Sequence, residues 1–129
     1  MKKLGLTLFC GVSTLALIVV LSATKAHSRP QYSKEFIAKF VNPATTDPSE
    51  KAFADAAVEA KCSVCHAGES KKNRNVFGRE LAKMLHNEKD NTKIDEAFDA
   101  VLKMKAKPND PDSPTFGDLM KQGKLPASQ

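Results

Sequence analysis

The sequence predicts a small all-α domain, and three observations favour that class. Apolar residues recur at helical spacing in several segments, most clearly at Ile94, Ala97, Phe98, Val101 and Leu102. Residues that start helices precede such segments, as where Asp47-Pro48 is followed by Glu50. No segment has the alternating pattern of a convincing strand. We therefore expect three to four short helices.

The expected helices are separated by polar or proline-containing breaks. They span, in order, residues 47–61, 76–86, 92–105 and 113–123. Asp47 and Thr92 are the expected N-caps of the first and third helices, and Gly123 is the expected stop of the last. The folded domain should then cover residues 47–129. Residues 27–46 should form a surface arm with one short apolar element around Phe36.

The first 26 residues have the composition of an export signal. A basic start at Met1–Lys3 leads into an uncharged, mostly apolar run from Leu4 to Leu21, and small residues suit cleavage after Ala26. The apolar run approaches transmembrane length, so an uncleaved anchor is the alternative. We expect an exported protein that is periplasmic, or tethered to the outer face of the cytoplasmic membrane if the signal is retained.

Charge and motif content exclude several function classes. The whole chain has a formal net charge of +5, and loss of Lys2, Lys3 and Lys25 with the signal would lower it to +2. No nucleic-acid motif or basic patch interleaved with aromatic residues is present, so nucleic acid is not an expected partner. The sequence also lacks a recognisable Ser/His/Asp set, phosphate-binding loop or paired carboxylates, so an enzyme is not expected.

The segment Cys62-Ser63-Val64-Cys65-His66 carries the strongest chemical signal. A Cys-x-x-Cys-His run is typical of c-type haem attachment. Two thiols three positions apart can each form a thioether with a haem vinyl group, and the adjacent imidazole can bind the iron. The third cysteine, Cys10, lies in the expected signal and leaves no pair for a structural disulfide.

Two other chemistries use the same residues. In a thioredoxin-like dithiol, Cys62 would attack and Cys65 would resolve, but that motif belongs in a βαβ context. In a zinc site, both cysteines and His66 would need a distant fourth donor, for which His86 is the nearby candidate. A zinc-stabilised interaction module is therefore an alternative to a haem protein.

The motif and the helical architecture together resemble the class I cytochromes c, which are small all-α electron carriers with one haem. The local resemblance covers the motif, and the architectural one extends over roughly residues 47–125. It implies that Cys62 and Cys65 hold one haem c covalently through two thioethers. It also implies that His66 is the proximal ligand of the iron.

The same resemblance implies that the first and last helices cross. The crossing would bring Phe53 or Val58 near Phe116. The first helix departs from the family pattern, in which a glycine and an aromatic residue stand a turn apart, because Ala54 and Val58 lie near those places. The exact crossing of the two helices is therefore left open.

The second axial ligand decides what an attached haem would do. The resemblance implies a methionine near a proline-containing loop, and Met104 fits best because it lies 38 residues after His66, just before such a loop. Met120 and Met84 are rivals, although methionine at helical spacing usually fills a core. His86 is the rival ligand that is not a methionine. A thioether ligand raises the reduction potential, whereas an open position permits ligand binding.

Basic residues crowd the segment after the motif. They are Lys71, Lys72, Arg74, Arg79 and Lys83. Acidic residues gather further on, at Glu88, Asp90, Asp95, Glu96 and Asp99. A solvated helix face explains such a run most simply. The functional interpretation is a basic rim around an exposed haem edge, which would steer a redox partner protein with an acidic docking face.

Together these expectations describe an exported monohaem c-type cytochrome that transfers single electrons between redox partner proteins. One alternative is a haem-based ligand-binding or sensor protein with an open sixth iron site. The zinc-stabilised module is the other. Peroxidase-type activity would require the same open iron site as the sensor.

Overall fold

The computed structural model describes residues 29–127, and these residues form five α-helices and no β-strand. The helices are α1 (Pro30–Phe40), α2 (Pro48–Ala60), α3 (Val76–Leu85), α4 (Asn91–Leu102) and α5 (Phe116–Lys121). A short 3₁₀ turn, Lys61–Val64, follows α2 directly. The all-α class is confirmed, with more helices than expected.

The expected export signal lies outside the described residues, as do Cys10 within it and the cleavage site after Ala26. Within residues 29–127, none of the helices combines the length and the apolar character needed to cross a membrane.

Phe36 joins α1 to the rest of the core. Its side chain is only 2% exposed. Its ring centroid lies 6.2 Å from that of Phe53 on α2, 5.9 Å from Phe77 on α3 and 5.5 Å from Phe98 on α4. Such edge-on aromatic pairs stabilise a core beyond the apolar area that they bury. The apolar element expected in the arm is therefore a helix built into the core.

Side-chain caps set the starts of the helices. Asp47 caps α2 as expected, because its carboxylate accepts the backbone N–H three residues later. The expected cap at Thr92 is wrong. Asp90 caps α4 instead and accepts the backbone N–H groups of Thr92 and of the next residue. α5 starts slightly later than expected, after a capping box between Thr115 and Asp118.

The helices α2 and α5 pack against each other, as expected of the first and last helices in the predicted domain. Gly123 ends α5 with φ of +77° and lies against α2, where a Cβ would stand 3.0 Å from the carbonyl oxygen of Ser49. Phe116 is buried and pairs with Phe77 at 5.3 Å. Val58 is 53% exposed, and the aromatic ring that pairs with Phe116 is that of Phe77 on α3.

Candidate functional site

The cysteine–histidine motif forms a tight turn directly after α2. Lys61, the C-cap of α2, has φ of 49°, a left-handed conformation that is uncommon for a residue with a side chain. The chain then curls so that the carbonyl oxygen of Cys62 accepts the backbone N–H of Cys65 at 3.2 Å and that of His66 at 3.0 Å. The two cysteines and the histidine thus share one turn of backbone.

Asn75, the N-cap of α3, stabilises this turn through both polar atoms of its side-chain amide. Its Oδ1 accepts the backbone N–H of Gly78 at 2.9 Å, which caps the helix. Its Nδ2 donates to the carbonyl oxygens of Ser63 at 3.2 Å and Val64 at 2.9 Å. Its backbone N–H donates to the carbonyl of Cys65 at 3.1 Å. One residue therefore ties the start of α3 to the motif.

Gly78 allows α3 to lie against the backbone of the motif. A Cβ at this position would stand 1.9 Å from the carbonyl oxygen of Cys65 and 2.8 Å from its carbonyl carbon. Both atoms belong to the main chain, so they cannot swing aside as a flexible side chain could. The close approach of helix and motif therefore requires a residue without a Cβ.

A backbone carbonyl orients the imidazole of His66. The Nδ1 atom lies 3.2 Å from the carbonyl oxygen of Asn73. Because a carbonyl can only accept, this hydrogen bond places the proton on Nδ1 and leaves the lone pair on Nε2. Histidines that bind metals usually have their other ring nitrogen fixed in this way. The ring of His66 is therefore prepared to bind a metal through Nε2.

The two thiols differ in their surroundings. Cys62 is exposed, whereas Cys65 is half-buried. Burial, with a smaller contribution from the nearby Cys62, raises the pKa of the Cys65 thiol to about 12. Thiolate is the nucleophile in disulfide exchange, so this pKa leaves Cys65 almost entirely protonated at neutral pH and disfavours a dithiol exchange role.

A cavity of about 790 Å³ opens beside the motif. Apolar side chains of α1 and α3 line it, namely Phe36, Ile37, Leu81, Ala82 and Leu85. Cys62, Cys65 and His66 line it as well. Its volume falls within the range of roughly 300–1,000 Å³ that is typical of small-molecule and cofactor sites.

Positive charge surrounds the same cavity. Five cationic side chains line it: Arg29, Lys61, Lys71, Lys72 and Arg74. The lining includes no aspartate or glutamate from residues 29–127. A cavity with an apolar wall and a cationic border suits a flat apolar ligand that carries negative groups.

The remaining charges of the predicted clusters lie away from this lining. Lys83 pairs with Glu80 at 2.7 Å on α3. On α4, Asp99 lies 3.1 Å and Asp95 3.9 Å from Nζ of Lys39, which belongs to α1. The predicted basic run is therefore split between the cavity and the surface of α3, and part of the acidic group serves the contact between α1 and α4.

The four candidates for a second axial ligand lie in different parts of the fold. His86, at the C-terminus of α3, lines the cavity. Met104 and Met120 are partly buried and pack against the hydrophobic core. Met84 is 43% exposed. Among residues 29–127, no methionine lines the cavity that contains His66.

The described residues offer little context for the two competing chemistries. No strand occurs in residues 29–127 beyond isolated bridges, so the βαβ context of a thioredoxin-like dithiol is missing there. In the same residues, no three His, Cys, Asp or Glu side chains are grouped so that they could hold a metal ion. A c-type haem does not need such a group, since the thiols bond its periphery and only the imidazole bonds the iron.

The residues present fit a covalently bound haem. Two cysteines share one turn, and the Nε2 lone pair of His66 is left free by the hydrogen bond to Asn73. The adjacent cavity has apolar walls for the macrocycle and cations for its propionates.

Sequence reasoning identifies the motif but misses the residues that support it. Asn75 carries a readable signal, because an asparagine before an apolar periodic segment is a typical N-cap. Asn73 acts through its backbone carbonyl, which no side-chain pattern reports. Gly78 matters because it has no Cβ where α3 contacts the motif. The helix α1 lines the cavity, although the sequence predicts a surface arm in that segment.

Comparisons of this chain with protein-family models, with curated proteins and with solved structures find no match.

Proposed function

We propose that this protein is an exported c-type cytochrome that binds one haem through Cys62, Cys65 and His66 and carries single electrons between redox partner proteins. The observation that carries the proposal is the cavity of about 790 Å³ lined by all three residues, with Nδ1 of His66 held on a backbone carbonyl. The combination of two thiols, one oriented imidazole and an apolar cavity is what covalent haem binding requires.

The thiols would hold the haem by addition to its two vinyl groups. In each addition the sulfur forms a C–S bond and the thiol hydrogen ends on the other vinyl carbon, so no oxidant is consumed. Both thiols must be reduced for this to occur, and Cys62 and Cys65 are both free in the structure. Attachment by two bonds keeps the cofactor in place in either oxidation state.

The iron would be bound by Nε2 of His66, while the apolar residues of α1 and α3 exclude water from the haem face. Bound haem supplies the one-electron chemistry of its iron. The chain accepts one electron from a reduced partner protein and gives it to an oxidised one, and no bond of the chain is made or broken. Lys71 and Lys72 at the cavity favour a partner with an acidic docking face.

The first test is covalent attachment. The full chain, with its N-terminal segment, is produced in a cell that matures c-type cytochromes, and haem is detected after a denaturing gel and by intact mass. We expect one haem per chain. Cys62→Ala and Cys65→Ala should each lose one thioether, and the double variant should lose covalent haem. Cys10→Ala is the matched control and should keep it.

The second test separates a carrier from a sensor. Absorption spectra are recorded for the oxidised protein, the reduced protein and the reduced protein with carbon monoxide. Low-spin spectra that carbon monoxide does not change support the carrier. Rapid carbon monoxide binding by the wild type would overturn the carrier in favour of a ligand-binding protein. Absence of covalent haem despite competent maturation would overturn haem binding, and zinc analysis would then be decisive.

A further inference from the structure

We propose that His86 would be the second residue to bind the haem iron, together with His66. This inference rests on the proposed haem function and assigns one further residue to it. The two histidines of residues 29–127 line the same cavity, although 20 positions separate them in the sequence. An imidazole on each side is one of the two common ways to complete the coordination of a low-spin haem iron.

The imidazole of His86 is available for a ligand. It makes no hydrogen bond or ion pair within residues 29–127, and it is exposed at the end of α3. A histidine at a helix C-terminus can be explained by the helix dipole alone. That explanation accounts for the position along the helix, but it does not account for a side chain that lines the cavity of His66.

The backbone at this point is unusual in a way that concerns His86 directly. His86 has φ of 36° and Asn87 has φ of 74°, so two successive residues with side chains adopt left-handed conformations. Asparagine and histidine tolerate this region better than most residues, but each such residue still costs stability. Helices often end with one left-handed residue, usually glycine or asparagine, but here a histidine precedes the asparagine in that conformation, so the surrounding structure has to maintain the turn.

The surrounding structure that maintains this turn is α1. The guanidinium of Arg29 donates to the carbonyl oxygen of Asn87 at 3.0 Å. The hydroxyl of Tyr32 donates to the carbonyl of Glu88 at 2.8 Å, and the amide of Gln31 donates to that of Lys89 at 2.9 Å. Two side chains of α1 and that of its N-cap, Arg29, thus fix three successive carbonyls just after His86. The same helix lines the cavity, so it couples the cavity wall to the position of His86.

The methionines are placed less favourably for this role. Met104 is fixed by its backbone, whose N–H donates to Val101 at 2.9 Å and whose carbonyl accepts the N–H of Phe116 at 3.0 Å. Its side chain packs against the hydrophobic core and does not line the cavity. Ligation by His86, and not by Met104, would affect the function. The iron would then lack the thioether ligand that raises the reduction potential of methionine-ligated haem. The partner proteins would then be those of a low-potential chain.

The experiment uses the matured full chain and reads the ligands directly. Electron paramagnetic resonance and the near-infrared charge-transfer band of the ferric protein distinguish two imidazoles from one imidazole and one thioether. We expect the bis-imidazole signals in the wild type. His86→Ala should keep its covalent haem, lose these signals, bind carbon monoxide at least ten times faster when reduced, and regain the low-spin spectrum with added imidazole.

Three methionine variants serve as controls. Met104→Ala, Met120→Ala and Met84→Ala remove the rival side chains one at a time and should leave the bis-imidazole signals unchanged. An imidazole–thioether signal in the wild type, or a His86→Ala spectrum identical to wild type, would overturn the inference and leave covalent haem binding intact. Loss of covalent haem from the wild type itself would instead overturn the proposed function. If His86→Ala does not mature, His86→Gln replaces it. His27→Ala removes the third histidine of the chain and should keep the bis-imidazole signals, and their loss in that variant would overturn the assignment to His86.

Discussion

The backbone of Gly78 lies so close to Cys65 that a Cβ at position 78 would stand 1.9 Å from the Cys65 carbonyl oxygen. The contact brings the first turn of α3 onto the middle of the cysteine–histidine motif. Asn75, one turn earlier, adds hydrogen bonds to the carbonyls of Ser63 and Val64. The packing of α3 and the shape of the motif are therefore one structural unit, and a change in either should affect both.

Gly78→Ala should destabilise the protein by about 1–3 kcal/mol, because the added methyl group forces the two main chains apart. The loss should appear even though alanine favours a helix over glycine by about 1 kcal/mol. Gly117→Ala on α5 is the matched control, since its Cβ would meet Leu102 at 3.1 Å and needs only a small shift. Urea unfolding followed by circular dichroism measures the difference. An equal effect of both variants would contradict the contact.

Two substitutions at Asn75 should separate its two roles. Asn75→Asp keeps the oxygen that caps α3 and loses the amide that donates to Ser63 and Val64, whereas Asn75→Ala loses both. We expect Asn75→Ala to lower the free energy of unfolding by about 1 kcal/mol more than Asn75→Asp does. Only the alanine variant loses the cap of α3, and a cap typically contributes about this much. If the chain binds haem as proposed, both variants should also lower the yield of covalent haem. A yield unchanged in Asn75→Asp would show that the amide does not shape the motif.

The helices could be predicted because their signals are local. Apolar spacing and the cap at Asp47 are carried by residues within one turn of each other, and α2, α3 and α4 lie close to the expected spans. The error at Thr92 arose because Asp90 also has a capping side chain and stands in the same turn. α1 was the harder case. Its helix depends on burial of Phe36 by three distant helices, which a local pattern does not contain.

The candidate site also has one part that the sequence predicts and another that only the folded structure shows. Cys62, Cys65 and His66 are adjacent, so their spacing is visible in the sequence. The carbonyl of Asn73 that orients His66 is a backbone group with no residue preference, and its role follows only from the folded loop. His86 and the motif line the same cavity because of the length of α3 and the packing of α1, and this relationship is visible only in the tertiary structure.

The start of α5 should depend on pH through Asp118. Hydrogen bonds from the side chain and then the backbone of Thr115 hold the pKa of this carboxyl below its ordinary value. The stabilising contribution is therefore present above the unfolded-state pKa, about 4, and is lost as the pH falls through the lower folded-state pKa. Asp118→Asn should reduce stability at neutral pH and converge with the wild type in acid.

The matched control for this pH dependence is Asp112→Asn. The carboxylate of Asp112 is exposed and has no hydrogen bond or ion pair within residues 29–127. Thermal unfolding between pH 3 and pH 7 compares the three proteins. A constant difference between Asp118→Asn and the wild type across this range would contradict the role of the ionised carboxylate in the capping box.

The cations around the cavity should control electron transfer with charged reagents, provided that the chain binds haem. Ferricyanide should oxidise the reduced protein faster at low ionic strength than at high, and a cationic cobalt complex should show the opposite dependence. The double variant Lys71→Glu/Lys72→Glu should slow ferricyanide several-fold at low salt. The double variant Lys103→Glu/Lys107→Glu changes the net charge by the same amount at two exposed positions outside the cavity lining, and it should have a smaller effect. Equal effects would mean that net charge, and not its location, governs the rate.

Tyr32→Phe tests whether α1 positions His86. The change removes the hydroxyl that donates to the carbonyl of Glu88 at 2.8 Å and keeps the ring. Loss of one partly buried hydrogen bond should cost about 1 kcal/mol of stability. If His86 binds the iron, a looser turn should also let carbon monoxide displace it several-fold faster in the reduced protein, with the wild-type low-spin spectrum retained. Lys34→Ala, at an exposed position of α1, should change neither property. A loss of stability without faster carbon monoxide binding would mean that the Tyr32 hydroxyl stabilises the fold alone and does not hold an iron ligand in place.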